Sequence, residues 1–119
     1  MDSQTHTLDD NTIEELAGAL DSRFFKALSE PVRIQILQHL IRNGRSDIAS
    51  ISEGLPQDRS VISRHLQFMQ GVGILTVEKI TRHVYYEFDG TFFVTKLETI
   101  LEKIKQCMPQ CCASDRPPE

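Results

Sequence analysis

Residues 58–75, DRSVISRHLQFMQGVGIL, decide how this chain is read. At about 3.6 residues per turn, Ile62, Leu66 and Met69 share one face with Asp58 and Gly73, while Ser60, Ser63, Arg64 and Gln67 occupy the other. Asp58 suits an N-cap, because its carboxylate can accept an orphan N–H of the first turn. Gly73 can end the helix at positive φ, and Ile74-Leu75 then return the chain to the core. An inward apolar stripe behind an outward row of Ser, Arg and Gln suits a helix that reads base edges and phosphates. The same pattern serves an ordinary amphipathic surface helix, so the flanking sequence has to decide.

Immediately upstream, Ser46 is placed to cap a short helix from Asp47 to Glu53 with Ile48 and Ile51 inward. Gly54-Leu55-Pro56-Gln57 then makes a tight connection into Asp58. Short helix, turn, longer helix is the helix-turn-helix order. Before it, Pro31 to Arg42 reads as a helix with Val32, Ile36, Leu37, Leu40 and Ile41 inward, opened by Ser29-Glu30-Pro31 and closed by Asn43-Gly44. Thr12 to Ser29 carries apolar residues at spacings of three and four, with a break at Asp21-Ser22 that divides it into two helices. Downstream, Ile74 to Lys79 and His83 to Phe88 are rich in β-branched and aromatic residues. The pattern predicts a β-hairpin turning at Ile80-Thr81-Arg82, though without the glycine usual at a tight turn. A last helix is expected from Thr91 to Cys107 with Phe93, Leu97, Ile100, Leu101 and Ile104 as its stripe, ending at Met108-Pro109.

The expected fold is mainly α with a small β-hairpin, a winged helix-turn-helix. Residues 1–11 form an acidic N-terminal segment expected to be flexible, 12–107 the DNA-binding domain, and 108–119 a loose C-terminal tail that carries cysteines.

Composition sets bounds on function. With 119 residues, 39% hydrophobic and 25% charged, the chain reads as one ordinary globular domain. It has no apolar run long enough to span a bilayer, and its acidic start lacks the order of a signal peptide, so a cytoplasmic location is expected. The net charge of −4 is unevenly spread: residues 1–22 hold six acidic and no basic residues, whereas 23–88 hold nine basic and six acidic. Screening confines charge effects to about 10 Å, so the basic centre can still meet phosphate.

The ordered set FKALSEPVRIQILQHL (25–40), SVISRHLQFMQGVGIL (60–75) and TRHVYYEFD (81–89) resembles the ArsR/SmtB family of small metal- and metalloid-responsive repressors. The resemblance runs from about Phe24 to Asp89, with one further helix on each side. It implies a homodimer in which the first and last helices pack across a two-fold axis. The stripes Ile13/Leu16/Leu20 and Phe93/Leu97/Ile100/Ile104 fit that arrangement, and packing of the two helices within one chain is the alternative.

The partner implied is double-stranded operator DNA. Ser60, Ser63 and Gln67 can bond base edges, Arg64 can fork onto a guanine or a phosphate, and Arg59 can take a phosphate. On the wing, Lys79, Arg82 and His83 are within reach of the flanking backbone or minor groove. His65 reads as a core-bordering hydrogen-bonding residue. A dimer would set its two recognition helices roughly 34–36 Å apart on a near-palindromic site.

Family members differ in where ligands are grafted. The arsenic site known at the helix before the turn needs cysteines, and 46–51 has none. The zinc site of the last helix needs histidines, and none follows Asp89. What remains is Cys107, Cys111 and Cys112, within six residues. Soft thiolates favour thiophilic centres. Trivalent arsenic, with three bonds and a lone pair, is completed by three sulfurs, whereas zinc wants four ligands. The expected inducer is therefore As(III) or Sb(III), with Pro109 expected to let the tail fold back towards Cys107. Alternatives are a trivalent organoarsenical held by two of the cysteines, another soft metal such as cadmium, or thiol-redox sensing. An enzyme would need an activated thiolate beside a base or a helix N-terminus, and these cysteines lie at a helix C-terminus, so no catalytic residue is expected.

Overall fold

The structure, a computed structural model, describes residues 10–111, with side chains as far as Met108. It contains α1 (Asp10–Ala19), α2 (Ser22–Ala27), α3 (Pro31–Asn43), β1 (Ser46–Asp47), α4 (Ile48–Glu53), α5 (Arg59–Val72), β2 (Leu75–Ile80), β3 (His83–Phe88) and α6 (Gly90–Cys111). The chain divides into two units, one of residues 22–93 and one of residues 1–21 with 94–119. The segment 1–11 lies mostly outside the described residues, and its last two positions already belong to α1.

In the 22–93 unit the winged helix-turn-helix is present. Phe24, Ile36, Ile51, Ile62, Leu66, Met69 and Ile74 are completely buried, so α2 to α5 converge on one core with the return strand after Gly73, while Ile41, expected inward on α3, is 62% exposed. Proline at the first position fixes the start of α3, and Gly44, at φ 78°, ends it with its N–H on the Leu40 carbonyl at 2.8 Å. Gly73 ends α5 at φ 110°, its N–H shared between the Met69 and Gln70 carbonyls. A Cβ there would lie 3.0 Å from the Phe92 ring.

Four local expectations are corrected. The cap of α4 is Asp47, whose Oδ1 accepts the Ser50 N–H at 2.9 Å; Ser46 is buried and donates its hydroxyl to the Gly44 carbonyl. Asp58 does occupy the N-cap position of α5, with its carbonyl accepting from Ile62, but its side chain makes no cap bond. Its charge still favours the helix N-terminus through the dipole. The hairpin turn is two residues, Thr81-Arg82, because Ile80 still pairs with His83. Thr81 takes the positive φ of 55° that a glycine was expected to supply. Ser46–Asp47 is also a strand: it pairs antiparallel with Tyr86 and Tyr85, giving a three-stranded sheet ordered β1-β3-β2.

Asp89 joins sheet to helix. Its N–H bonds the Ile74 carbonyl at 2.8 Å and its Oδ1 caps α6 by accepting the Phe92 N–H at 3.0 Å. The phenyl rings of Phe24, Phe88, Phe92 and Phe93 meet at 5.4–6.2 Å between centroids, which seats the first turn of α6 on this core.

In the other unit, Glu15 of α1 is paired with Lys103 of α6, and Asp21 lies 3.8 Å from Lys96. Ala19, Ile100 and Cys107 are buried. Val94, Leu97, Leu101, Ile104 and Met108 are 39–53% exposed and recur at alternating spacings of three and four along α6. That spacing makes one continuous apolar seam. α6 does not stop at Met108-Pro109 but continues to Cys111. Proline already has a helical φ; it forfeits the rung its N–H would give to the Lys105 carbonyl and crowds that carbonyl, and only two residues of α6 lie beyond it.

Candidate nucleic-acid interface

The candidate interface is built on the outward face of α5. Burial of Ile62, Leu66 and Met69 fixes the rotation of this helix, so Arg59, Ser60, Arg64 and Gln67 are exposed and Ser63 is half-buried. The wing lies beside it. Arg59 and Ser63 of α5, Arg82 and His83 of the hairpin, and Asp47 and Tyr86 line one groove of about 410 Å³. Four residues singled out in the sequence, Arg59, Ser63, Arg82 and His83, are thereby brought together from elements far apart in the chain. Ser60, Arg64 and Gln67 lie outside the groove on the same helix, and Lys79 stands exposed on β2.

The charge in this region is available. Among the described residues, no ion pair involves Arg59, Arg64, Lys79 or Arg82. Arg45 is a different kind of cation: it is bonded to Glu78 and lies over the Tyr85 ring at 5.5 Å, so it ties β1 to the hairpin. His83 Nδ1 is 4.0 Å from Asp47 Oδ2, next to the hairpin turn of the wing. A groove lined by a guanidinium from α5, a guanidinium from the wing and the Ser63 hydroxyl can hold a backbone phosphate while the exposed row on α5 faces base edges.

His65 takes the hydrogen-bonding role read for it. Its Nδ1 accepts from Arg33 Nε at 3.1 Å, which requires a neutral ring. Burial, with Arg33 and Arg64 adding to it, holds its pKa below 6.5, against an opposing pull from Glu30. Arg33 also stacks on the Phe68 ring at 4.5 Å and donates to the Lys26 carbonyl at 2.6 Å. Sequence reasoning missed this cluster, since its members come from separate helices with no shared periodicity.

Of the three cysteines expected to hold an inducer, Cys107 is a buried free thiol on α6. Cys111 is the last residue of α6, so a helical turn, and not a reversal of the chain, relates it to Cys107. The side chain of Cys111 and all of Cys112 lie outside the described residues. Among the described residues no cluster of three His, Cys, Asp or Glu side chains forms a metal site.

No family model matches the sequence. An uncharacterised HTH-type transcriptional regulator of Methanocaldococcus jannaschii is 33% identical over 69 residues, 57% of this chain and 78% of the relative. Among solved structures, an ArsR-like transcriptional regulator from Rhodococcus sp. RHA1 superposes with TM-score 0.63 and 32% identity over 80% of this chain and 83% of its own. An antimony-specific transcriptional repressor shares the fold at TM-score 0.57 and 22% identity, over 79% of this chain and 84% of its own. All three are transcriptional regulators by name, and the two solved structures share the fold in which the arginine-lined groove lies. This chain is a member of the ArsR family of helix-turn-helix transcriptional regulators.

Proposed function

We propose that this protein is a homodimeric repressor that binds operator DNA through α5 and the wing and releases it when As(III) or Sb(III) is held by Cys107, Cys111 and Cys112. The observation that carries the DNA half is the groove in which Arg59 and Ser63 of the recognition helix meet Arg82 of the wing. Ser60, Ser63, Arg64 and Gln67 read bases and near phosphates; Arg59, Lys79 and Arg82 take backbone phosphates.

The dimer is supported by the exposed seam Val94, Leu97, Leu101, Ile104 and Met108 on α6, with Ile13 exposed on α1 and Leu20 exposed just after it. A soluble monomer rarely leaves such a continuous apolar stripe in water. The sensing half is supported by donor chemistry: three thiols within six residues and no histidine after Asp89. A structural relative being an antimony-specific repressor is consistent with that chemistry. Because the Cys107 thiol is buried, holding a metalloid there requires the end of α6 to rearrange. By linkage, a ligand favouring a rearranged dimer lowers DNA affinity by the coupling energy, usually about 1–3 kcal/mol.

The test is release of a fluorescent duplex, selected from a random pool, titrated with arsenite, antimonite, methylarsenite, cadmium and an oxidant. Wild type and each Cys→Ser variant are compared. The reading expects arsenite or antimonite to release wild type and each single substitution to blunt that response. Release by methylarsenite that needs only two cysteines would favour the organoarsenical alternative. An arsenite response unchanged in all three variants rules out the thiol site.

A further inference from the structure

Two arginines on the side of α5 away from the wing have no part in the interface described above. Arg33 and Arg23 lie over the same ring, Phe68, at 4.5 and 5.7 Å from its centroid. Gathering two guanidinium groups on one ring sets like charges together. Arg33 is held there by neutral acceptors: its Nε bonds His65 and its Nη1 the Lys26 carbonyl. Among the described residues no carboxylate forms an ion pair with it. These two bonds use only part of its five-donor fork, so its charge is positioned without being cancelled. Arg23 reaches further: its Nη2 lies 3.3 Å from where a Cβ on Gly71 would stand. The bare backbone of Gly71 gives that guanidinium room over α5, one turn past Gln67.

The helical wheel fixes where this cluster points. Taking about 100° per residue, Ser60, Ser63, Arg64 and Gln67 centre on one direction. Arg59, on the wing groove, lies roughly a quarter turn to one side and Phe68 roughly a quarter turn to the other. Gly71 falls close to the central direction. A helix about 10–12 Å across fills a major groove about 12 Å wide, so its two flanks face the two phosphate walls. The wing groove with Arg59 and Arg82 serves one wall. We propose that Arg33 and Arg23, seated on Phe68, form a second phosphate-contacting edge that grips the opposite strand. This rests on the reading that α5 enters DNA. It adds an edge contributed by α2 and α3, and makes His65 and the Lys26 carbonyl the parts that aim Arg33.

The test is the salt dependence of duplex binding, measured by anisotropy on full-length wild type, Arg33→Gln, Arg33→Lys and Arg23→Gln, with circular dichroism to confirm folding. Each neutralised phosphate adds about 0.9 to the slope of log K against log salt. Arg33→Gln and Arg23→Gln are each expected to flatten the slope by about that amount, and to weaken the selected and an unrelated duplex equally. Arg33→Lys keeps the charge and is expected to keep the slope. Folded Gln variants that bind more weakly at unchanged slope would show a structural role alone and overturn the proposal. Wild type with no salt-dependent duplex binding would sink the DNA reading itself, which is a different result from a flat comparison between variants.

Discussion

Gly73→Ala is expected to destabilise the 22–93 unit strongly, and the cost can be worked from two separate sources. Gly73 sits at φ 110°, where an L-residue is strained, and its added Cβ would stand 3.0 Å from Phe92 Cε1 and Cζ. The backbone strain costs about 1–2 kcal/mol. The overlap with a packed ring costs about 1–3 kcal/mol. The sum, roughly 2–5 kcal/mol, is a large part of the 5–15 kcal/mol that holds a typical domain folded. Urea denaturation reads it as a lower midpoint at unchanged slope. Phe92→Leu, which removes the ring atoms that clash, separates the two parts. In that background Gly73→Ala is expected to lose the steric component and keep the strain, giving a coupling energy of about 1–3 kcal/mol. A loss below about 0.5 kcal/mol in the wild-type background, where surface changes ordinarily fall, would refute both parts. Equal losses in the two backgrounds would refute the steric one.

Asp47→Ala should cost about 1 kcal/mol more than Asp58→Ala, since only Asp47 caps its helix with a side-chain bond; paired urea midpoints measure the difference. Thr81→Asn is expected to raise stability by up to about 1 kcal/mol by placing a residue that tolerates positive φ at the hairpin tip, and an unchanged or lower thermal midpoint contradicts this. The folded state takes up a proton at His65 less readily than the unfolded chain, so this residue's contribution is intact above pH 6.5 and is lost as pH falls below it. His65→Gln should therefore decline less steeply between pH 7 and pH 5 in denaturation midpoints, and parallel curves would count against it. Leu101→Glu, in the middle of the exposed seam, should shift the protein to monomer in sedimentation while leaving its helix content intact; an unaltered sedimentation coefficient removes the seam from the dimer interface.

The elements legible in the sequence are those with a period. Ile62, Leu66 and Met69 repeat at helical spacing, Gly73 punctuates them, and the hairpin announces itself through Val84, Tyr85 and Tyr86; all three features stand in the structure. Features with no period were not legible. β1 is two residues long, too short for alternation, and exists because Tyr85 and Tyr86, far along the chain, offer it a ladder. Asp47 and not Ser46 caps α4 because the Ser46 hydroxyl turns back to the Gly44 carbonyl while the Asp47 carboxylate reaches the Ser50 N–H, a choice with no periodic signal. The groove was legible in its parts, Arg59, Ser63 and Arg82, but not the Arg33–His65–Phe68 cluster, which depends on how α3 crosses α5. The continuation past Pro109 is not legible, because the missing N–H and the ring's clash with the preceding turn read as a stop, whereas α6 runs two residues beyond it.

The two-residue β1 also governs how this protein avoids aggregation. Without it β3 would be an edge, six residues of strand rich in Val84, Tyr85, Tyr86 and Phe88 with open N–H and C=O groups: a template for any other extended chain. Ser46 and Asp47 occupy the middle of that edge, and the remaining long edge, β2, carries the adjacent charges Glu78 and Lys79. Both sides of the sheet thus resist a further strand, which leaves the proposed dimer to helical surfaces and keeps it apart from the open-ended stacking of strands.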